Sequence, residues 1–205
     1  HSGKRRGITR EAEKSLSRVS VGNFRIIRAV DCLRGGGVMA YPTEAVWGLG
    51  CDPFSEGAVM RLLALKKRRR DMGLIVIAAS MAQLEPFLAG IAVSDRQLLE
   101  ASWPGPQTWL VPNNGYAPTW VTGGRETLAL RVTSHPVAAA LCHAYGGGLI
   151  STSANPHGFR PAVSLLKLNL YFYGQLDYVL PGSLGGLTSP TPIKNLKTGE
   201  MIRGS

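Results

Sequence analysis

Cys32-Leu-Arg-Gly-Gly-Gly-Val-Met-Ala-Tyr41-Pro-Thr43-Glu44 and Cys142-His-Ala-Tyr-Gly-Gly-Gly-Leu-Ile-Ser151-Thr152-Ser153-Ala-Asn155 decide the fold of this chain. In each, a helical stretch breaks at three glycines, a short apolar strand follows, and the strand ends in small polar residues. Loops beyond strand ends in an open α/β sheet are where ligands usually bind. Hydroxyls and amides there suit a small polar ligand or a phosphate. Between the two units, Lys66-Lys67-Arg68-Arg69-Arg70 ends a helix and can bring positive charge to the same place. Cations at a helix C-terminus also complement the macrodipole, so this run alone fits a solvated face equally well.

The rest of the chain alternates in the same way. Phe24, Ile27, Val30 and Leu33 recur at helical spacing up to Arg34, and Val38 to Tyr41 reads as a buried strand. Ser55 caps a helix to about Lys67, with Val59, Leu62 and Leu63 inward. Gly73 to Ala79 is a near-continuous apolar run, as in a strand covered on both faces. Ser80 to Gln83 and Ser94 to Gln97 have capping-box spacing, which predicts two short helices. Trp103-Pro-Gly-Pro106 is a rigid turn. Strands are predicted over Gln107–Val111, Thr127–Val132, from Leu149, and over Asp177–Leu180. Ser134 is expected to cap a helix ending near Tyr145, and Ala162 to Tyr173 to be helical, with Leu165, Leu166 and Leu168 for burial. Pro181 to Pro190 is a Gly/Pro/Ser-rich loop before a hairpin around Lys197-Thr-Gly199. The expectation is one α/β domain, residues 21–205, of three layers around a mixed sheet.

The 205 residues suffice for one sizeable core, and 44% of them are apolar. No apolar run reaches the ~18 residues that span a bilayer. Neither a membrane segment nor a signal peptide is expected. Cys32, Cys51 and Cys142 lack zinc spacing, which fits reduced thiols in a cytoplasmic protein. Residues 1–20 are polar and basic and read as an arm outside the fold. The net charge of +10 suits an anionic partner such as a nucleotide or RNA, or simply a basic surface.

Ser151 to Asn155 is the most specific stretch, with three hydroxyls and one amide in five residues after a buried strand. Thr43 follows the other strand, where it can bind a substrate or cap a turn. The histidines, His1, His135, His143 and His157, have no metal-ligand spacing, and no site for a metal is expected. There is no Walker A motif and no G-x-G-x-x-G. Trp103, Trp109 and Trp120 fit packing better than base stacking.

Several stretches together resemble the threonylcarbamoyl-AMP synthase family, the TsaC/YrdC proteins. They are Ala40-Tyr-Pro-Thr-Glu44, Gly48-Leu-Gly-Cys-Asp-Pro53, Leu65-Lys-Lys-Arg68, Trp103-Pro-Gly-Pro-Gln-Thr108, Leu130-Arg-Val-Thr-Ser-His-Pro136 and Ser151-Thr-Ser-Ala-Asn155. The resemblance runs from about Phe24 to Arg203 and matches the short bacterial form. It implies a YrdC-like twisted α/β fold with a basic concave groove. It implies that L-threonine, bicarbonate and ATP give threonylcarbamoyl-AMP and pyrophosphate, with Mg²⁺ held mainly by the phosphates. Related enzymes pass that intermediate to tRNA threonylcarbamoyl-transferase proteins, which modify the adenosine beside the anticodon.

The family's K-x-R and S-x-N signatures fall on Lys66, Arg68, Ser153 and Asn155. Lys66 and Arg68 are thereby expected at the phosphates, and Ser153 and Asn155 at the nucleotide. Thr43 is expected to hold threonine and Arg131 its carboxylate. Thr108, Ser151, Thr191 and Arg203 are expected nucleotide contacts. Two positions depart from the family pattern: Arg69 stands where Pro is common, and Met72 where many members are basic. The loop from Arg69 to Gly73 is therefore expected to hold ATP differently. Two other readings fit the charge: a module binding tRNA or double-stranded RNA, and a nucleotide sensor without turnover.

Overall fold

The computed structural model describes residues 10–203, with side chains from residue 22 onward. The first helix, α1, is Arg10–Arg34. Residues 1–9 of the expected arm lie outside the described residues, whereas residues 10–20 continue α1. The helix expected from the spacing of Phe24, Ile27, Val30 and Leu33 is present; its buried residues are Ala29, Val30 and Leu33, while Phe24 and Ile27 are exposed. Three glycines end α1, and β1, Met39–Pro42, follows.

The next strand, β2, Trp47–Gly50, has no counterpart in the sequence reading. Two of its four residues are glycines, so it lacks the alternation and β-branched bulk that mark strands. It nevertheless lies between neighbours on both sides and is wholly buried. The Tyr41 hydroxyl reaches past it to donate to the Ile150 carbonyl, 3.0 Å away.

Helix α2, Glu56–Lys66, is capped by Ser55 and stops where Lys67 turns left-handed at φ 51°. A short 3-10 turn, Arg70–Met72, leads to β3, Ile75–Ala78. A second such turn, Met81–Leu84, runs into α3, Glu85–Leu88. The box expected at Ser80 closes one residue early: Gln83 Oε1 accepts from the Ala79 amide. Helix α4, Val93–Ser102, begins after Ala92, so Ser94 is inside the helix rather than its cap. Strand β4, Thr108–Pro112, the short α5, Thr119–Thr122, and β5, Thr127–Val132, follow. Helix α6, Pro136–Tyr145, is capped by the His135 ring and not by Ser134, because Pro136 opens its first turn. Then come β6, Leu149–Ser153, and α7, Leu165–Phe172, capped by Ser164. Leu168 and Phe172 of α7 are buried, and Leu165 and Leu166 are exposed. Strands β7, Tyr178–Val179, β8, Ile193–Asn195, and β9, Met201–Arg203, complete the sheet.

The nine strands lie in the order β7-β1-β2-β6-β3-β5-β4-β8-β9, with parallel and antiparallel pairs mixed. Alternate residues feed two cores. Met39, Tyr41, Ile77 and Leu149 pack under α1 and α6. Ala40, Leu49, Val76 and Ile150 pack on the other face with Leu62 of α2, Leu99 of α4 and Leu168 of α7. Three layers result.

Strands β1 and β6 both run antiparallel to β2, one on each side of it. They therefore point the same way, and their helices α1 and α6 pack together. This is why two stretches over a hundred residues apart deliver their hydroxyl loops to the same end of the sheet.

The chain then crosses that end. Strand β7 is an edge of the sheet, and β8 lies near the opposite edge. The strap from Pro181 to Pro192 spans the gap. Its Gly185 and Leu187 amides donate to the Thr43 and Glu44 carbonyls, each at 3.0 Å. A side chain at Gly185 would strike the Glu44 backbone, at 2.8–2.9 Å from an added Cβ. Glycine is required there by that close approach.

Candidate active site

The hydroxyl loops, the strap and the 70–72 turn enclose a cavity of about 360 Å³. Thr43, Arg68, Arg131, Ser151, Ser153, Thr191 and Arg203, all expected site residues, line it. Glu44, Arg125 and Thr152 line it too, without having been assigned a role from sequence. Leu110, Val121 and Leu128 form part of its apolar wall.

Four guanidinium groups, from Arg68, Arg125, Arg131 and Arg203, face this volume, and Glu44 is the single carboxylate among its lining residues. Glu44 is already committed. Its Oε1 accepts from Thr133 Oγ1 at 2.7 Å and the Ser134 amide at 3.3 Å. Its Oε2 lies 3.5 Å from Arg131 Nη2, with both side chains 7% exposed. Arg131 Nη1 donates to Thr191 Oγ1 at 2.7 Å, and its buried Nε has no partner in the protein. Arg203 holds the Thr191 carbonyl at 2.9 Å through Nη2. Arg68 gives Nη2 to the Gly73 carbonyl at 3.0 Å, and its buried Nε is also unpartnered. Burial, Arg131 and Arg68 all pull the Arg203 guanidinium below its ordinary pKa. Like charges this close, with so little opposing charge, favour an anionic ligand.

Thr43 Oγ1 donates to the Val46 carbonyl at 2.7 Å, so its lone pairs remain to accept a ligand N–H. Ser153 Oγ donates to Asn155 Oδ1 at 2.6 Å, leaving its own lone pairs facing the cavity.

Lys66, Asn155 and Thr108 are not on the cavity wall. Lys66 is 3% exposed. Its ammonium donates to the Ser153 carbonyl, the Asn155 carbonyl at 2.9 Å and Asn155 Oδ1 at 3.4 Å. All three of its protons are thus spent inside the Ser153–Asn155 turn. Burial and the nearby Arg68 bring the ammonium down to about 8. Asn155 turns its amide nitrogen to the Pro156 and Phe159 carbonyls and braces the turn. Thr108 is buried, with its hydroxyl 3.5 Å from that of Thr191.

A second network holds the strap. Thr133 Oγ1, the donor to Glu44, accepts from the His135 amide at 3.1 Å. The His135 ring accepts from the Ala138 amide at Nδ1 and meets the Ser183 carbonyl at Nε2, 2.8 Å away. Arg131, Glu44, Thr133, His135 and the strap are therefore linked by successive polar contacts.

Burial alone would raise the Glu44 carboxyl, but Arg131, the Thr133 hydroxyl and the Ser134 amide outweigh it and hold it below the usual 4.5. A carboxylate lowered by folding stabilises the folded state above its unfolded pKa, and that contribution is lost as pH falls through the folded value. Thermal melting of the wild-type chain between about pH 5 and pH 3 is thus expected to fall more steeply than that of Glu44→Gln. Equal slopes would show that Glu44 is not ionised in the fold.

Elsewhere, Trp103, Trp109 and Trp120 spend their indole N–H groups on Gln107, Ser102 and Pro53 and serve packing. The three thiols are free; burial pushes Cys51 and Cys142 up to about 12. Among the described residues, no group of three or more His, Cys, Asp or Glu is placed to hold a metal ion. No helix among them is long and apolar enough to cross a membrane.

A mixed α/β sheet with hydroxyl loops and clustered arginines at one end defines the class: an α/β domain whose cavity suits a small polyanion. The comparisons narrow this class. A family model named Sua5/YciO/YrdC, described as "Telomere recombination", matches residues 31–203, and the chain belongs to that family. It is 56% identical over 180 residues to the threonylcarbamoyl-AMP synthase of Halorhodospira halophila, covering 88% of this chain and 94% of that one. The synthase of Cellvibrio japonicus is 54% identical over 183 residues, covering 89% and 97%. Among solved structures, P. abyssi Sua5 complexed with L-threonine superposes with a TM-score of 0.81 at 30% identity. That alignment covers 87% of this chain and 53% of Sua5, so the chain spans about half the length of that relative. E. coli YciO shares the fold, with a TM-score of 0.78 at 24% identity over 89% of each chain.

Proposed function

We propose that this chain converts L-threonine, bicarbonate and ATP into threonylcarbamoyl-AMP and pyrophosphate. The observation that carries this reading is the excess of cationic groups around one hydroxyl-lined cavity, where Arg131 is paired with the only carboxylate among the described lining residues.

Arg131 pairs with the threonine carboxylate. Thr43 accepts from the amine nitrogen. The amine attacks bicarbonate, water leaves, and a carbamate forms. A carbamate oxygen then attacks the α-phosphorus of ATP; the bond from that phosphorus to the bridging oxygen breaks, and pyrophosphate departs with the electron pair. Charge builds on the α-phosphate oxygens as this happens. Arg68, Arg203 and the Ser153 loop lie ready to receive it. Donors fixed in a water-poor cleft stabilise such charge, each typically worth ~3–4 kcal/mol. Lys66 acts one step back, because its ammonium holds the Ser153 and Asn155 carbonyls and keeps that turn in place.

Glu44 is occupied by Arg131 and Thr133, so Mg²⁺ bound with ATP would rest mainly on the phosphates and would supply charge neutralisation there. The product passes to tRNA threonylcarbamoyl-transferase proteins in the cytoplasm.

The test is pyrophosphate release with ATP, Mg²⁺ and bicarbonate, comparing threonine, serine and no amino acid. Release that needs both threonine and bicarbonate is expected. ATP-dependent release that ignores the amino acid would overturn the reading. Tight, salt-sensitive binding to tRNA or double-stranded RNA without turnover would favour the RNA-binding module instead.

A further inference from the structure

The four cavity arginines fall into two pairs. Arg131 and Arg203 both bond Thr191, one at its hydroxyl and the other at its carbonyl. Arg68 and Arg125 meet at Gly73, whose carbonyl accepts from Arg68 and whose open side lies against the Arg125 stem. Arg131 is buried, at 6% exposed, whereas Arg125 is exposed.

Arg125 is preset for a ligand. Its Nε donates to the Asp71 carbonyl at 2.8 Å, while its backbone is held by the Thr122 carbonyl and the Asn113 side chain. Its stem lies beside Gly73, at 3.7 Å from the Cβ that Gly73 lacks, and Gly73 O is the acceptor of Arg68. Arg68 and Arg125 thus both contact Gly73. The Asp71 carboxylate is paired with Arg69, while its carbonyl takes the Arg125 Nε. Among the described residues, the terminal nitrogens of Arg125 have no hydrogen-bond partner in the protein.

We infer that Arg125 binds the outer phosphates of the nucleotide and makes the site select a triphosphate over a monophosphate. This inference rests on the synthase reading. With the reacting α-phosphate at Arg68, Arg203 and Ser153, the β- and γ-phosphates extend towards the rim. Arg125 is the next cation there, and its planar fork suits phosphate oxygens. The leaving pyrophosphate then already lies at the solvent edge.

The experiment is calorimetric titration of wild type, Arg125→Gln and Arg125→Lys with ATP, ADP and AMP in the presence of Mg²⁺. Arg125→Gln is expected to weaken ATP about tenfold or more and to leave AMP within about twofold, with ADP between. Arg125→Lys is expected to recover part of the loss. A merely structural role would weaken AMP and ATP alike, and that result would overturn the inference. So would an unchanged ATP affinity in Arg125→Gln, with the synthase reading intact. Wild-type protein that binds no ATP would remove both.

Discussion

Replacing Arg131 by Met is expected to abolish threonine-dependent pyrophosphate release and to lower the melting temperature at the same time. Activity is lost because the threonine carboxylate has no partner, and a loss of at least 100-fold is expected, as for other fixed charge-stabilising donors. Stability is lost because Glu44 keeps its carboxylate against the cavity wall after its cation is gone. Breaking a buried pair from one side costs roughly 3–5 kcal/mol, which is on the order of 10 °C for a chain of this size. The double variant Glu44→Gln/Arg131→Met separates the two effects. Removing both charges is expected to restore most of the melting temperature and none of the turnover. Activity retained in Arg131→Met would take Arg131 out of substrate binding. A double variant as unstable as the single one would mean that Glu44 is not the origin of the stability loss.

The second large effect is expected at Lys66, for a different reason. Lys66→Met leaves the Ser153 carbonyl, the Asn155 carbonyl and Asn155 Oδ1 without the ammonium that joins them. The Ser153 carbonyl keeps the Asn155 amide and Asn155 Oδ1 keeps the Ser153 hydroxyl, but the Asn155 carbonyl loses its donor at a cost of about 1–3 kcal/mol, so the turn relaxes and carries Ser153 away from the α-phosphate. Turnover is expected to drop about 100- to 1000-fold, the scale of losing one aligned donor. A pH signature identifies the ammonium as the cause. Folding lowers Lys66 from 10.5 to about 8, so the folded state favours its neutral form. The associated stability is fully present above the unfolded value and is lost as pH falls through about 8. Wild type is therefore expected to gain roughly 3 kcal/mol relative to Lys66→Met between pH 8 and pH 10.5. Denaturant titrations across that range measure it; parallel curves would show that the ammonium is not buried.

Both loops that build the site were legible from residue types alone, because each follows a glycine-stopped helix and a short apolar strand. Their meeting was not, because it depends on β2, whose Trp-Gly-Leu-Gly sequence carries no strand signal of its own. The motif around Thr43 contains Glu44, yet nothing in the spacing says that its carboxylate turns towards Arg131 and Thr133, almost ninety residues away. Lys66 was legible as a cation near the Ser153 loop, but not its direction. The fold buries its ammonium among carbonyls, and side-chain direction at a helix end depends on what packs there. Arg125 follows two glycines in an exposed turn and looks like an ordinary surface residue until Gly73 is brought beside it. Leu165 and Leu166 show the opposite error: both are expected to be buried on a helix that does form, but the face is chosen by neighbours that the sequence does not name, and only Leu168 of the three is buried.

The strap that crosses the sheet end has a consequence for how the protein comes into being. Thr191 and Arg203, which complete the wall of the cavity, belong to the last segment of the described chain to leave the ribosome, where β8 pairs with β4 and β9, carrying Arg203, pairs with β8 at the far edge from β7. Most of the residues of both cores precede that segment, but without it the cavity lacks two of the polar groups that close its wall.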